Sequence, residues 1–292
     1  VHAGSSLTTA NTLGFGGFVT INTSLTGSFA INPGTSAANV SFSPLANYHF
    51  NGAAAQQMGS GLTGANNLTF SNGGANAKTP AGPLTIAGTL TVNTGASFSG
   101  GNHNHTLNGH VVANGALVLG ATTRFSGSAD QLISGSSIPV FSSINIGKLA
   151  SVLNVSANIM VSGTLTVSSG SVLSPGVNTI IGGGGTLTGS GTIRVSRLGN
   201  ASDLFQQQYP IANHNLAQLT IEYNGTGAQT VPSGTYNRII VSGNDVKALS
   251  GTVSIATLSI QAGSVLDAGV FRIMALLSLI HISEPTRQAE IS

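Results

Sequence analysis

Apolar side chains recur on alternate positions in short bursts separated by glycine. Leu84, Ile86, Leu90, Val92 and Phe98 share one parity, and Ile159, Val161, Leu165, Val167 and Leu173 repeat it. Gly88 and Gly163 fall on the same parity between the bursts. Period-two alternation puts one side of each short strand inward and the other outward. Glycine at the interruptions predicts corners, where the chain bends without a Cβ to accommodate. No stretch sustains a 3.6-residue period, so helix content is expected to be near zero.

The bursts belong to longer repeats, the first feature to seek in such a chain. An aromatic-x-Gly-x-x-x-Gln motif occurs three times, at Phe50 to Gln56, Phe125 to Gln131 and Tyr223 to Gln229. A strand-like run follows each copy (Leu68-Thr69-Phe70, Ile144-Asn145-Ile146, Ile239-Ile240-Val241), and then a lysine: Lys78, Lys148 or Lys247. A second block completes each unit at 84–92, 159–167 and 253–260. From Leu90, Leu165 and Leu258 it is eight residues to the next apolar anchor, Phe98, Leu173 or Leu266.

Short strands at regular spacing suit a sandwich, a propeller or a solenoid. Regularly placed Asn-Gly or Asp-Gly hairpin turns are missing, small residues fill the turns, and charge is sparse. Sparse charge fits stacked rungs, where like side chains lie about 4.8 Å apart. The expected fold is therefore all-β, a parallel β-helix or β-solenoid of degenerate repeats. At roughly 20 residues per coil it would hold about eleven coils and run about 50 Å.

Composition sharpens the exclusions. Only 5% of the residues are charged, 40% are hydrophobic, and there is no Cys or Trp among the 292. Disordered chains are apolar-poor and usually highly charged, so disorder is not expected. The net charge of +2 comes from scattered single residues. Nucleic-acid binding needs a basic stripe with stacking aromatics, and no such partner is expected. No run of 18 apolar residues predicts a transmembrane segment.

Several runs carry a resemblance. A-N-Y-H-F-N-G-A-A-A-Q (46–56), G-T-L-T-V (88–92 and 163–167), Y-N-G-T-G-A-Q-T-V-P-S-G-T-Y-N (223–237) and A-G-S-V-L-D-A-G (262–269) resemble the strand repeats of large bacterial surface proteins. Adhesin-type chains exported by the type IX route and autotransporter-associated repeats are similar in this way. The resemblance covers roughly 48–273. It implies a secreted, adhesin-like protein of the outer cell surface with a passive extended scaffold, and it transfers no catalytic residue and no cofactor.

The ending reads differently. L-S-L-I-H-I-S-E-P-T-R (277–287) breaks the composition abruptly and resembles, codon by codon, a translated transposase-type sequencing adapter. Residues 277–292 are therefore expected to be an artefact rather than a domain. The expected organisation is a partial N-terminal β region over 1–47 and solenoid repeats over 48–276, a fragment of a longer protein.

Candidate chemistry is thin. Parallel β-helices include polysaccharide-degrading enzymes, whose chemistry needs clustered carboxylates. Outside the tail there are Asp130, Asp203, Glu222, Asp245 and Asp267, tens of residues apart for the most part, with no D-x-D. Asp130 and Asp245 suit turns, where Asp accepts backbone N–H groups. His103, His105 and His110 form the one constellation with metal-ligand spacing, against the plainer reading of a polar rung with a half-buried His. No G-x-S-x-G nucleophile elbow is present, and the run 182–185 lacks a phosphate-loop lysine and reads as a flexible turn. T-x-T triplets at Thr89/Thr91, Thr164/Thr166 and Thr186/Thr188 raise an ordered-water surface, against Thr as an ordinary strand residue.

The expected function is a non-catalytic structural or adhesive repeat region of a secreted bacterial cell-surface protein, with surface glycans or other cells as partners. No catalytic residue and no cofactor are assigned. A β-helix carbohydrate-active enzyme or a carbohydrate-binding module is the alternative.

Overall fold

In a computed structural model the chain winds into a parallel β-solenoid of about eleven coils. The structure describes residues 44–51, 55–58, 61–71, 77–201 and 203–275, together with the strands Val19–Ile21, Ser28–Ile31, Val40–Phe42 and Ile280–Ile282. Tyr48 sits opposite Leu68, Leu68 opposite Leu90, Leu90 opposite Val111, and Val111 opposite Ile133, so these coils take 20 to 22 residues each.

Each coil has three straight segments. The first face stacks Asn47–Phe50, Leu68–Phe70, Leu90–Val92, Val111–Ala113 and their successors through Thr220–Tyr223. The second face includes Ser97–Ser99, the start of Ala116–Phe125 and Ile159–Val161. The third face includes His105–Leu107, the end of Ala116–Phe125 and Thr164–Val167. Strand alternation explains the core: every residue of the two parity series, from Leu84 to Phe98 and from Ile159 to Leu173, points inward and is buried. Stacking identical positions also stacks rings, as in Phe50 on Phe70 (5.6 Å between centroids), and across the interior Phe70 of the first face meets Phe98 of the second (4.4 Å).

Gly88 and Gly163 lie in bends between faces, as their parity predicts. A Cβ on Gly109 would stand 2.0 Å from the carbonyl oxygen of Gly88 one coil below. Glycine is required there by the closeness of the stack. The run 182–185 departs from expectation. It lies inside the strand Ile181–Gly189, which crosses a corner without breaking, and a Cβ on Gly185 would meet the Gly163 carbonyl oxygen at 1.9 Å.

The long sequence repeat is not the structural one. The first copy of the motif runs from the first face (Phe50) to the second, and the third copy runs from the first face (Tyr223) to the strand Gln229–Val231 that takes the second face's place. The middle copy instead runs from the third face (Phe125) to the first (Gln131). Copies one and two are 75 residues apart (Phe50 to Phe125), which is not a whole number of coils of 20 to 22 residues. The middle unit is thereby rotated by one face about the axis. The motif encodes a corner and works at more than one corner of the triangle.

Two features add to this frame. Between Thr192 and its neighbour Thr220 one coil takes 28 residues, and the excess includes a five-residue helix, Leu204–Gln208, capped by the Asp203 carboxylate accepting from Gln206 N. This is the exception to the all-β expectation. At the other end Ile280–Ile282 pairs with Leu258 to Ile260. Alternating apolar residues add readily to any open strand edge, so the pairing does not bear on where 277–292 came from; the rest of that stretch lies outside the described residues.

Candidate functional site

The repeated motif places the buried polar groups. Lys78, Lys148 and Lys247 are all fully buried. The Lys148 ammonium donates to the carbonyls of Gly127 and Ala129 at 2.7 Å each and to Gln131 Oε1 at 2.8 Å. Lys247 donates to the carbonyls of Gly225 and Gly227 at 2.7 and 3.0 Å. In both, the accepting residues stand two and four places after the motif's aromatic residue. The glutamine reaches the other way, into the coil before. Gln131 Nε2 donates to Leu107 and Gly109 oxygens, and Gln229 Nε2 to Val195 and Arg197 oxygens. One motif with its lysine therefore ties three coils together.

The motif corner leaves backbone carbonyls facing a buried side chain, and an unpaired buried carbonyl is costly. Glutamine and lysine supply the missing donors. Burial lowers the pKa of Lys148 and Lys247, with Asp130 and Asp245 pulling each partly back; burial lowers Lys78 as well. Gln208, on the short helix, plays the glutamine part in the enlarged coil, accepting from Ser196 N at 2.7 Å and donating to Gly176 O at 2.9 Å. Its sequence context lacks the motif, so periodicity gave no sign of it.

The three histidines do not converge. His105 points inward and is buried, donating from Nε2 to Gly100 O at 2.9 Å while Nδ1 accepts from Leu84 N at 3.2 Å. Both ring nitrogens are thus engaged by the fold, and burial lowers the pKa, with the backbone bond opposing and His103 assisting. His103 lies in the turn before the strand, edge-on to His105 with centroids 6.4 Å apart. His110 is exposed, and its Nδ1 accepts from Leu132 N at 3.0 Å. Among the described residues no three His, Cys, Asp or Glu side chains are grouped to hold a metal ion.

His110 belongs to a different pattern. Side chains at corners accept the backbone N–H of the coil above: Asn67 from Thr89, Asn104 from Thr122, Asn114 from Ser136, Asp130 from Val152, and Asn158 from Ile180. The remaining carboxylates are also occupied locally. Asp203 caps the helix, Asp245 accepts from Val246 N, Asp267 from Gly269 N, and Glu222 binds Arg194 at 2.8 Å and Ser242.

Outward positions carry the remaining polar surface. On the third face Thr122, Ser143, Thr164, Thr186 and Asn213 form one column along the axis. Thr106, Arg124, Asn145, Thr166 and Thr188 form a second beside it. The two later T-x-T triplets lie here in register, and hydroxyl or carboxamide groups continue on successive coils around them. Sequence inspection finds the triplets but not the columns, because Ser143, Asn145 and Thr122 align with them only once coil lengths are known. The second face is different, exposing Val118 and Met160 with the half-buried Val140 stacked between them.

The fold and its corners define a parallel β-solenoid held by internal polar clamps. No protein family, no curated protein and no solved structure matches the chain. Among the described residues no helix is long and apolar enough to cross a membrane.

Proposed function

We propose that this chain is a non-catalytic structural or adhesive repeat region of a secreted bacterial cell-surface protein. The observation that carries the reading is the use of polar groups: Lys148, Lys247, the buried glutamines Gln131, Gln208 and Gln229, and the five acids from Asp130 to Asp267 are each engaged in holding coils or turns together. A stack whose ionisable groups serve the stack suits a spacer that presents its outer faces. Low charge and abundant Thr, Asn and Ser on those faces suit contact with polar, uncharged surfaces. The test is surface exposure. Antibodies against the chain should label intact cells carrying the gene, and brief protease treatment should release its peptides; label seen only after lysis would defeat the reading. Sustained release of reducing ends from pectin, alginate or similar polymers would defeat its non-catalytic part.

A further inference from the structure

The third face offers a ligand class that the adhesive reading leaves open. We infer that its paired columns form a binding strip for a neutral, hydroxyl-rich polysaccharide chain lying along the solenoid axis; the inference rests on the adhesive reading and names its partner. From Thr106 to Thr188 five strands succeed one another, a span of about 19 Å at the usual rung spacing. Over that span each strand presents a hydroxyl, carboxamide or guanidinium group.

Charge decides what such a strip takes. The outward positions from Thr106 to Asn213 hold one charge, Arg124, and no carboxylate. An acidic polymer would find a single cation, and a basic one would find no partner, so a neutral ligand matches best. Arg124 and Asn145 are neighbours in register at the middle of the strip. Their guanidinium and carboxamide are forked groups, each able to reach two oxygens of neighbouring sugar hydroxyls. The same two long side chains interrupt the even Thr surface that a lattice of ordered water would need. Ice is therefore the weaker fit.

Single hydrogen bonds exchanged with water contribute little each. Affinity must then come from repetition along the strip, which selects a polymer over a free sugar. The experiment uses the full chain, depleted from solution by suspended cellulose or insoluble mannan, with polygalacturonate beads and growing ice as competing surfaces. Retention on a neutral polymer is expected, unaffected by millimolar glucose. Arg124→Ala with Asn145→Ala should weaken it about tenfold or more, equivalent to one or two net hydrogen bonds. Thr106→Ala with Thr188→Ala should weaken it by a smaller factor, and Thr69→Ala with Thr91→Ala on the first face should leave it unchanged. Melting curves of all variants establish that the coils remain folded.

Failure to bind either neutral polymer, preference for polygalacturonate or ice, or retention that survives both third-face variants would each overturn the inference. Cell-surface labelling is a separate readout, so the adhesive reading stands or falls independently of these outcomes.

Discussion

The ammonium of Lys148 lies 2.8 Å from Oε1 of Gln131, within a pocket of carbonyls contributed by the coil below. The contact closes a chain of donors. Gln131 uses its amide nitrogen on the coil beneath and offers its oxygen to the lysine above. Removing the lysine strands Ala129 O and Gln131 Oε1 and leaves Gly127 O only the longer bond from Ser151 Oγ at 3.4 Å.

Lys148→Met should therefore cost about 2–6 kcal/mol, at about 1–3 kcal/mol for each buried acceptor left without a donor. Arg238→Met, at an exposed position, should stay within about 0.5 kcal/mol. Solenoids unfold in neighbouring units rather than as one, so hydrogen exchange is the appropriate measurement. Protection should fall in the strands around Gln131–Ser134 and remain near Gln229–Val231. Uniform loss, or none, would show that the clamp does not hold its own coils.

The glycine run makes a sharper comparison, because two adjacent residues differ. A Cβ on Gly184 would meet nothing within 4 Å, whereas on Gly185 it would run into the Gly163 carbonyl. Gly184→Ala should be neutral or raise stability by up to about 1 kcal/mol through the unfolded chain. Gly185→Ala should lower it by at least about 2 kcal/mol, since backbone must shift to admit the methyl group. Urea midpoints of the two variants suffice; equal midpoints would contradict the close stacking.

How far these features can be read from sequence follows from what each depends on. Inward residues such as Leu90 and Val167 are set by local alternation, so parity alone finds them. Lys78, Lys148 and Lys247 stand out as recurrent, yet the role of Lys148 and Lys247 needs the carbonyls at places two and four after an aromatic residue in another coil. The middle unit's rotation depends on summed coil lengths, which degenerate repeats do not reveal. The histidines illustrate the same limit. His103 and His105 have suitable spacing, but the inward turn of His105 and its contacts to Gly100 and Leu84 are long-range consequences of the winding. Gln208 is the extreme case: a clamp built from an irregular segment.

His105 gives an acid-side prediction. Burial favours its neutral form, so the unfolded chain binds the proton more readily and stability falls as pH drops through the ordinary histidine value of 6.5. Protonation of Nδ1 would also remove the acceptor for Leu84 N. His105→Gln should flatten the fall between pH 7 and 5 relative to the unmodified chain, in denaturant melts at each pH. His49, whose pKa burial also lowers, adds slope in the same direction.

Tyr236 sets the alkaline limit. Its hydroxyl donates to Pro232 O at 2.8 Å, and burial raises its pKa to about 12 from an ordinary 10.0. A phenol held neutral by the fold contributes stability that is complete below pH 10 and lost as pH rises toward 12, because the unfolded chain releases the proton first. Tyr209 and Tyr223, raised further by full burial, add slope in the same direction. The buried lysines oppose it only below their unfolded value of 10.5, where the unfolded chain holds the extra protons. Tyr236→Phe should start from lower stability at pH 9, through loss of the bond to Pro232, and then decline less steeply between pH 10 and 12. Parallel declines for the two proteins would place the alkaline loss elsewhere.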